Sequence, residues 1–231
     1  MRITYTPSGS GSGIKQLLER RVDSGGTDVA LSAEEAAQFQ ERVLHIPTCV
    51  GAVAVIYHLL DAPALKLTPD LIAGIFSGEI TQWNDQRIAR INPGISLPRV
   101  RITTVHRSEA SGTSHIFTEY LSKTSSKWRE KVGFGKIVNW PTGIGVEGNL
   151  GVAEYLAKIN GSIGYVEMTY AGRSKLCMAS IQNRSGFFVK PTLSSVVAAS
   201  EGELPPEAKI LITDPPSADA YPISAFTYII F

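Results

Sequence analysis

Strand-like and helix-like patterns alternate along almost the whole chain, and this alternation limits the fold more than any other feature of the sequence. Apolar runs such as Val50–Leu60, Val100–Val105 and Ile163–Val166 are typical of buried strands. Between such runs, apolar residues recur at helical spacing, as they do over residues 116–121. The alternation predicts an α/β protein with mostly parallel sheets.

Local signals place individual elements within this pattern. Thr68-Pro69-Asp70 combines a capping residue, a proline at the first helical position and an acid near the positive end of a helix. Gly78 is expected to end that helix. Further predicted elements are a helix capped by Ser32, a helix over Gln86–Ile91, a helix capped by Asn149, and strands at Ile3–Tyr5, Asp28–Leu31 and Phe226–Phe231.

The composition excludes several classes of protein. A net charge of +1 without a basic tail argues against a binder of nucleic acids or anionic membranes. Apolar residues make up 43% of the chain and charged residues 19%, which argues against disorder. The longest apolar run, Cys49 to Tyr57, is far short of the roughly 20 residues that a membrane helix needs. The only other cysteine, Cys177, is too distant in sequence for a CxxC motif.

Both ends of the chain are strand-like. Met1-Arg2 leads directly into Ile3–Tyr5 without the apolar stretch and cleavage site of a signal peptide, so none is expected. The other end is the apolar run Phe226–Phe231, which no polar tail follows. Two interpretations stay open, an edge strand that is C-terminal and the truncation of a longer natural protein, of which we favour the second.

Two segments place small and hydroxyl residues where a strand gives way to a helix, Ser8–Gly13 and Ser111–Ser114. The first turn of a helix carries unpaired N–H groups and the positive end of the helix dipole, so it attracts anions. Each segment is therefore a candidate anion site. The alternative is that Ser10 and Ser111 serve only as helix N-caps. Neither segment ends in the Gly-Lys-Ser/Thr signature of a nucleotide phosphate loop.

Three charged residues accompany these segments. Arg107 can bind an anion bidentately beside the second helix start, with Glu109 holding its guanidinium; the alternative is a surface ion pair of little energetic weight. Asp28 either forms a turn or accepts a hydrogen bond from an oxyanion that still carries a proton. Hydrogen phosphate has such a proton near neutral pH and sulfate has none. An acceptor at Asp28 would therefore favour the binding of phosphate over sulfate.

The sequence contains no arrangement typical of an enzyme. Ser111 has no evident His–Asp partnership, and the residues around it lack the leading glycine of a nucleophile elbow. No catalytic residue and no metal site is predicted. The histidines show no metal-ligand spacing and are interpreted as structural or exposed: His45, His58, His106 and His115.

Taken together, these motifs resemble one family. Ser8–Gln16, Gly25–Asp28 and Arg107–Ser114 follow the order and spacing of the periplasmic phosphate-binding protein of the high-affinity phosphate ABC transporter, the PstS family. Further matches cover essentially the whole chain: Phe76–Asn84, Asn92–Gly94, Trp140-Pro141, Gly148-Asn149, Gly161–Glu167 and Tyr221–Ile223. The resemblance implies non-catalytic capture of inorganic phosphate, no cofactor, a periplasmic or cell-surface location, and delivery to the permease subunits of the transporter.

The resemblance also assigns individual roles. It implies phosphate contacts from Ser10, Asp28, Arg107, Ser111, Gly112 and Thr113, with Glu109 and Gly11 in support. Asp28 would accept the phosphate proton, and Arg107 would be the bidentate charged donor. Glu109 stands where the family usually has Asp, so the geometry of its pairing with Arg107 is open.

The family continues beyond both ends of this chain, with a strand and a phosphate-binding loop before Met1 and covering helices after Phe231. From this difference we expect binding weakened by about two orders of magnitude. We also expect self-association, or contact with a second chain, through the strands left uncovered.

The implied fold is that of a type II periplasmic binding protein, with two α/β domains joined by a two-strand hinge. Residues 1–47 plus 222–231 would form the first, incomplete domain and residues 48–221 the second, with crossing strands near Thr48 and Pro222 and the ligand in the cleft. Two alternatives stay open: a truncated non-binding remnant or assembly element on the same fold, and a phosphatase on this scaffold.

Overall fold

The computed structural model describes residues 3–60, 64–173, 176–202 and 209–231. The helices are α1 (Ser10–Leu18), α2 (Ala33–Ala36), α3 (Pro69–Phe76), α4 (Gln86–Ile91), α5 (Gly112–Thr124), α6 (Ser126–Lys131), α7 (Gly148–Leu156), α8 (Met168–Arg173) and α9 (Leu193–Ala199). The strands are β1 (Gly25–Thr27), β2 (His45–His58), β3 (Lys66–Leu67), β4 (Thr103–Arg107), β5 (Ile144–Val146), β6 (Ser162–Glu167), β7 (Cys177–Met178), β8 (Ser180–Gln182), β9 (Phe188–Val189) and β10 (Ser224–Ile230).

The strands form two sheets that combine parallel and antiparallel pairs. The larger sheet has the order β1-β10-β2-β6-β4-β5, with β7 also paired to β2, and the smaller has the order β3-β8-β9. β4 runs parallel to β5 and β6, but β2 runs antiparallel to β10, β6 and β7. The α/β class is confirmed. The expectation of mostly parallel sheets is wrong, because the long β2 and the C-terminal β10 oppose their neighbours.

β2 connects the two halves of the molecule. Its first part pairs with β10 up to Ala52, and its second part pairs with β6 from Val53 onward. The chain before β10 reaches the same point, where the Val53 amide donates to the Ile223 carbonyl at 2.8 Å. We call α1, α2, β1, β10 and the first part of β2 the small half, and the remaining elements the large half. The domain boundaries near Thr48 and Pro222 stay a prediction.

Each half has its own apolar core. The core of the large half is built on buried aromatic residues, among them Tyr57, Phe76, Trp83, Phe117 and Tyr165. The core of the small half is a much smaller cluster of Ile14, Leu31, Val43, Tyr228 and Ile230. Because the burial of apolar surface drives folding, the large half holds most of the stabilising contacts. No helix among the described residues is long and apolar enough to span a membrane.

Helix starts agree well with the sequence signals. The Thr68 hydroxyl accepts from the Leu71 amide at the start of α3, and Pro69 is the first helical residue. Ser32 caps α2 in a capping box with Glu35. These bonds join residues that are close in sequence, which explains why the sequence predicts them.

Three predicted elements differ from the structure. Residues 3–9 form no strand, and the side chains of Ile3 and Tyr5 are exposed, because no neighbouring strand pairs with them in the described part of the chain. Met1 and Arg2 lie outside the described residues. The strand predicted at Asp28–Leu31 is instead β1, three residues earlier, because Gly25–Thr27 pairs with β10 and the chain turns at Asp28.

The third difference concerns the start of α7. Asn149 lies inside this helix rather than at its cap, which is Glu147 without a side-chain capping bond. Gly148 has a φ of +73°, a left-handed conformation that favours glycine. The Asn149 side chain is engaged elsewhere, because its Oδ1 accepts from Arg107 Nη1 at 3.0 Å.

Candidate functional site

The starts of α1 and α5 meet where the two halves face each other. A Cβ added to Gly112, the first residue of α5, would lie 2.3 Å from Ser10 Oγ and 2.9 Å from the Cβ of Asp28. Beside this contact, the Gly11 amide donates to the Ala110 carbonyl at 3.1 Å. The two segments singled out in the sequence are therefore adjacent, and the positive ends of two helices converge on one place.

Of the two serines that the sequence offers as helix N-caps, Ser10 and Ser111, only one occupies an N-cap position. Ser111 is an N-cap, since its Oγ accepts from the Ser114 amide at 3.2 Å. Ser10 is the first residue of α1, and the cap is Gly9, whose φ of +79° suits glycine. Ser10 Oγ accepts instead from the Asp28 amide at 3.2 Å. Ser111 is thus an N-cap, which does not exclude a further bond from its hydroxyl to an anion, whereas Ser10 is not an N-cap.

Three buried hydroxyls keep their protons available. Ser10 and Ser111 accept from backbone amides, and Thr113 Oγ1 accepts from Arg107 Nη1 at 3.4 Å. In these bonds the oxygen is the acceptor, so each O–H group can still donate to a ligand. Donors of this kind, next to helix amides, suit an oxyanion.

Arg107 lies at the end of β4 with its side chain almost fully buried. Its Nη1 donates to Asn149 and Thr113, and its Nε donates to Glu109 Oε1 at 2.7 Å. Its Nη2 also contacts Glu109 Oε1. A buried guanidinium requires an opposite charge and several acceptors. Glu109 therefore fixes the orientation of the one full positive charge assigned to the site.

Glu109 links Arg107 to the start of α7. Its Oε1 also accepts from the Gly148 amide at 3.2 Å, so the longer arm of glutamate still reaches the arginine. Burial by itself would raise the pKa of Glu109, but the hydrogen bonds and charge of Arg107 outweigh it and hold the pKa below its usual value. The second oxygen, Oε2, is buried without a hydrogen-bond partner in the described part of the chain.

Asp28 lies between the two helix starts. Its Oδ1 accepts from Thr227 Oγ1 at 2.9 Å, and its Oδ2 lies 3.0 Å from the position that a Cβ on Gly112 would take. Burial raises the pKa of Asp28, and the Thr227 hydrogen bond and the charge of Arg107 offset part of that rise. Asp28 thus presents a buried carboxyl oxygen to the place where the helices meet.

Sequence reasoning assigned no site role to three residues that support the site. Thr227 holds Asp28, and Asn149 holds Arg107. Tyr165 OH accepts from the Arg107 amide at 3.2 Å and lies 2.7 Å from Ser114 Oγ. A hydroxyl inside the apolar strand Phe226–Phe231 was the available signal for Thr227. For Tyr165 no local signal exists, because the contact depends on the pairing of β4 with β6.

The cleft is closed tightly in this structure. A cavity of about 20 Å³ lies beside Asp28 and Thr113, and Gly51, Glu167 and Thr227 close it off. That volume holds about one water molecule. The two halves therefore lie in direct contact across the site.

Three histidine side chains contact groups other than the anion donors. His106 stacks on Trp140 with ring centroids 4.7 Å apart, and His115 packs edge-on against Phe134. His58 bonds through Nδ1 to the Leu156 carbonyl. Among the described residues, no group of three His, Cys, Asp or Glu side chains is placed to hold a metal ion.

Comparison with known proteins places this arrangement in a family context. A family model described as a PBP superfamily domain matches residues 1–231. The phosphate-binding protein PstS of Pasteurella multocida is 41% identical, over 99% of this chain and 67% of that protein. PstS of Haemophilus influenzae is 38% identical, over 99% of this chain and 70% of that protein. The chain thus spans about two thirds of the length of these relatives.

A solved structure supports the fold independently. The crystal structure of a phosphate-binding protein from Stenotrophomonas maltophilia superposes with a TM-score of 0.70 and 21% identity. The match covers 99% of this chain and 71% of that chain. At this identity the likeness establishes the fold alone, which is the type II periplasmic binding-protein fold.

Proposed function

The chain belongs to the PstS family of phosphate-binding proteins, and on this basis we propose that it binds inorganic phosphate between the starts of α1 and α5. The observation that carries the proposal is the convergence of two helix N-termini and the buried guanidinium of Arg107 on one closed cleft. Helix amides, hydroxyls and an arginine fork are the donors that a tetrahedral oxyanion requires.

The donors are divided between the two halves. Ser10 comes from the small half, and Ser111, Gly112, Thr113 and Arg107 come from the large half. Phosphate needs more room than the cavity for one water seen here, so the two halves must move apart slightly to admit it. A cleft closed around the anion then excludes water and strengthens each charged hydrogen bond. Gly11 and Glu109 support this arrangement through the Ala110 contact and the Arg107 ion pair.

Asp28 gives the proposed site its selectivity. A buried carboxylate repels an anion without a proton, but it accepts a hydrogen bond from hydrogen phosphate. Thr227 donates to Oδ1 and so leaves Oδ2 to face the ligand. Sulfate offers no proton to this acceptor, and its exclusion follows.

The biological role in this proposal is capture and delivery. The protein acts without a cofactor or a catalytic step, in the periplasm, and passes phosphate to the permease subunits of an ABC transporter. The closed cleft is consistent with capture and delivery, because a ligand enclosed between the two halves stays bound until they separate. Transfer to a permease would couple to that separation.

We also propose that the chain associates with a second copy through the outer face of the small half. On this face Leu44, Ile46, Ile229 and Phe231 are 56%, 48%, 37% and 51% exposed. Ile46 and Ile229 are direct partners across β2 and β10, so the apolar surface is continuous. Continuous apolar surface of this kind favours association.

Calorimetric titration with phosphate and with sulfate tests the binding proposal directly. Saturable, one-to-one phosphate binding without sulfate binding supports it, whereas absence of phosphate binding contradicts it and favours a non-binding remnant. Release of phosphate from a generic phosphomonoester, with and without divalent metal, would favour a phosphatase instead.

Light scattering tests the proposed association with a second copy of the chain. We expect a dimer for the parent and a monomer for Ile229→Lys, and a monomeric parent contradicts the association.

A further inference from the structure

An ion pair joins the two halves at a distance from the anion donors. Lys136 Nζ lies 2.6 Å from Glu35 Oε1 and 2.7 Å from Oε2, so it contacts both carboxylate oxygens. The side chains of Lys136 and Glu35 are 12% and 29% exposed. Among ion pairs between described residues, this pair links the small half to the large half, while the others lie within one half.

Glu35 is held through its side chain, and Lys136 is held through its backbone. Glu35 Oε2 accepts from the Ser32 amide at 3.0 Å in the capping box of α2. The Lys136 carbonyl accepts from the Ser111 amide at 3.0 Å, and Ser111 is the N-cap of α5. The ion pair therefore connects α2 of the small half to the residue that begins the anion-binding helix of the large half.

The energy of this contact depends on closure. Exposed ion pairs contribute little, because water screens them and side-chain entropy opposes them. This pair is largely shielded and both partners are already ordered, so its attraction is stronger than that of an exposed pair. Separation of the two halves breaks it and returns both charges to water, so it stabilises only the closed arrangement.

We propose that Glu35 and Lys136 form a latch that stabilises the closed arrangement and thereby sets phosphate affinity without contacting the anion. This inference rests on the proposed function, since it concerns the same cleft. When only the closed state binds fully, the apparent Kd varies inversely with the closed fraction. The latch therefore changes the affinity for all anions that fit the cleft by the same factor.

The variant Glu35→Gln distinguishes a latch from a direct electrostatic effect of the Glu35 charge on the bound anion. Loss of a negative charge near an anion site would, by Coulomb attraction alone, tighten phosphate binding. A latch predicts the opposite, a Kd about tenfold higher, which corresponds to about 1.4 kcal/mol. Glutamine also satisfies the capping-box position, so α2 keeps its start.

The experiment measures phosphate Kd by calorimetry and phosphate release by stopped flow. Glu35→Gln and Lys136→Met are expected to raise Kd about tenfold, mainly through faster release. The exchanged pair Glu35→Lys/Lys136→Glu is expected to recover part of the affinity, because it restores the attraction between the halves but not the bond from the Ser32 amide to residue 35. Selectivity for phosphate over sulfate should stay at the parent value in all three. Glu79→Gln is the matched control, because it removes the exposed partner of Lys127 at 3.7 Å and should leave Kd unchanged.

Two outcomes overturn the latch: Glu35→Gln that binds phosphate as tightly as the parent or more tightly, or Lys136→Met that leaves the Kd for phosphate unchanged. A parent that does not bind phosphate overturns the proposed function instead. Small-angle scattering of the ligand-free chain then decides on the latch. Glu35→Gln should have a larger radius of gyration than the parent, and equal radii overturn the inference.

Discussion

Ser10 and Gly112, the first residues of α1 and α5, contact each other across the cleft so closely that a Cβ on Gly112 would lie 2.3 Å from Ser10 Oγ. The missing side chain at Gly112 is what allows the two helix starts to converge. Because the two helices belong to different halves, the contact between Ser10 and Gly112 also limits how closely the halves can approach each other. In the proposed site, anion binding and closure therefore both depend on this glycine.

We expect Gly112→Ala to weaken phosphate binding by at least about tenfold, since the added methyl must push Ser10 and Asp28 away and one lost charged hydrogen bond is worth about 1.5–3 kcal/mol. Calorimetry measures the change. Gly172→Ala is a suitable control, because Gly172 lies in α8 with no atom within 4 Å of an added Cβ. Equal phosphate affinity in Gly112→Ala and the parent would contradict the placement of the site.

We expect Arg107→Ala to reduce the affinity for phosphate by about 100-fold or more, because it removes charge-assisted donors worth roughly 1.5–3 kcal/mol each. Arg107→Lys should recover only part of the loss, since an ammonium group cannot bind Glu109, Asn149 and an anion in the planar geometry of the guanidinium. Arg90→Ala, which removes an exposed arginine of α4, is the control and should bind like the parent. Parent-like binding by Arg107→Ala would show that the site lies elsewhere.

We expect Asp28→Asn to weaken discrimination against sulfate more than it weakens phosphate binding. The amide of asparagine donates a hydrogen bond and carries no charge, so it no longer repels an anion without a proton. Competition of sulfate with phosphate measures the change. Thr227→Val is the matched variant, because it removes the donor to Oδ1 but keeps the carboxylate, and it should still exclude sulfate. Unchanged sulfate exclusion in Asp28→Asn would contradict the role of this residue.

Local signals in the sequence predicted much of the scaffold but only part of the site. The starts of α2 and α3 follow from caps that act over three residues, at Ser32 and Thr68. The alternation at Ile3–Tyr5 failed to predict a strand, because a strand also needs a partner. The bond between Thr227 and Asp28 joins opposite ends of the chain, so only the pairing of β1 with β10 creates it.

The same distinction applies to the supporting contacts. Arg107 and Glu109 are two residues apart, so their pairing could be predicted from the sequence. Glu35 and Lys136 are 101 positions apart, and each lies in a segment whose charge looks like ordinary surface charge. Their contact depends on how the two halves close, which no local pattern encodes.

The last prediction concerns the acid dependence of stability at the ion pair of Arg107 and Glu109. The pKa of Glu109 is below its ordinary value of 4.5 in the folded chain. A depressed carboxyl pKa stabilises the folded state fully above the unfolded pKa, and the contribution is lost as pH falls through the folded pKa. Glu109→Gln should therefore be less stable than the parent at pH 7, and the difference should narrow below about pH 4.5.

Urea unfolding at a series of pH values measures this difference. Asp28 affects stability in the opposite direction, because burial raises its pKa and its protonation at acid pH removes the cost of a buried charge. This contribution is the same in the parent and in Glu109→Gln, so it cancels when their stabilities are compared. Glu34→Gln removes an exposed carboxylate of α2 and should follow the pH profile of the parent. A stability difference between Glu109→Gln and the parent that stays constant from pH 7 down to pH 3 would contradict a depressed pKa at Glu109.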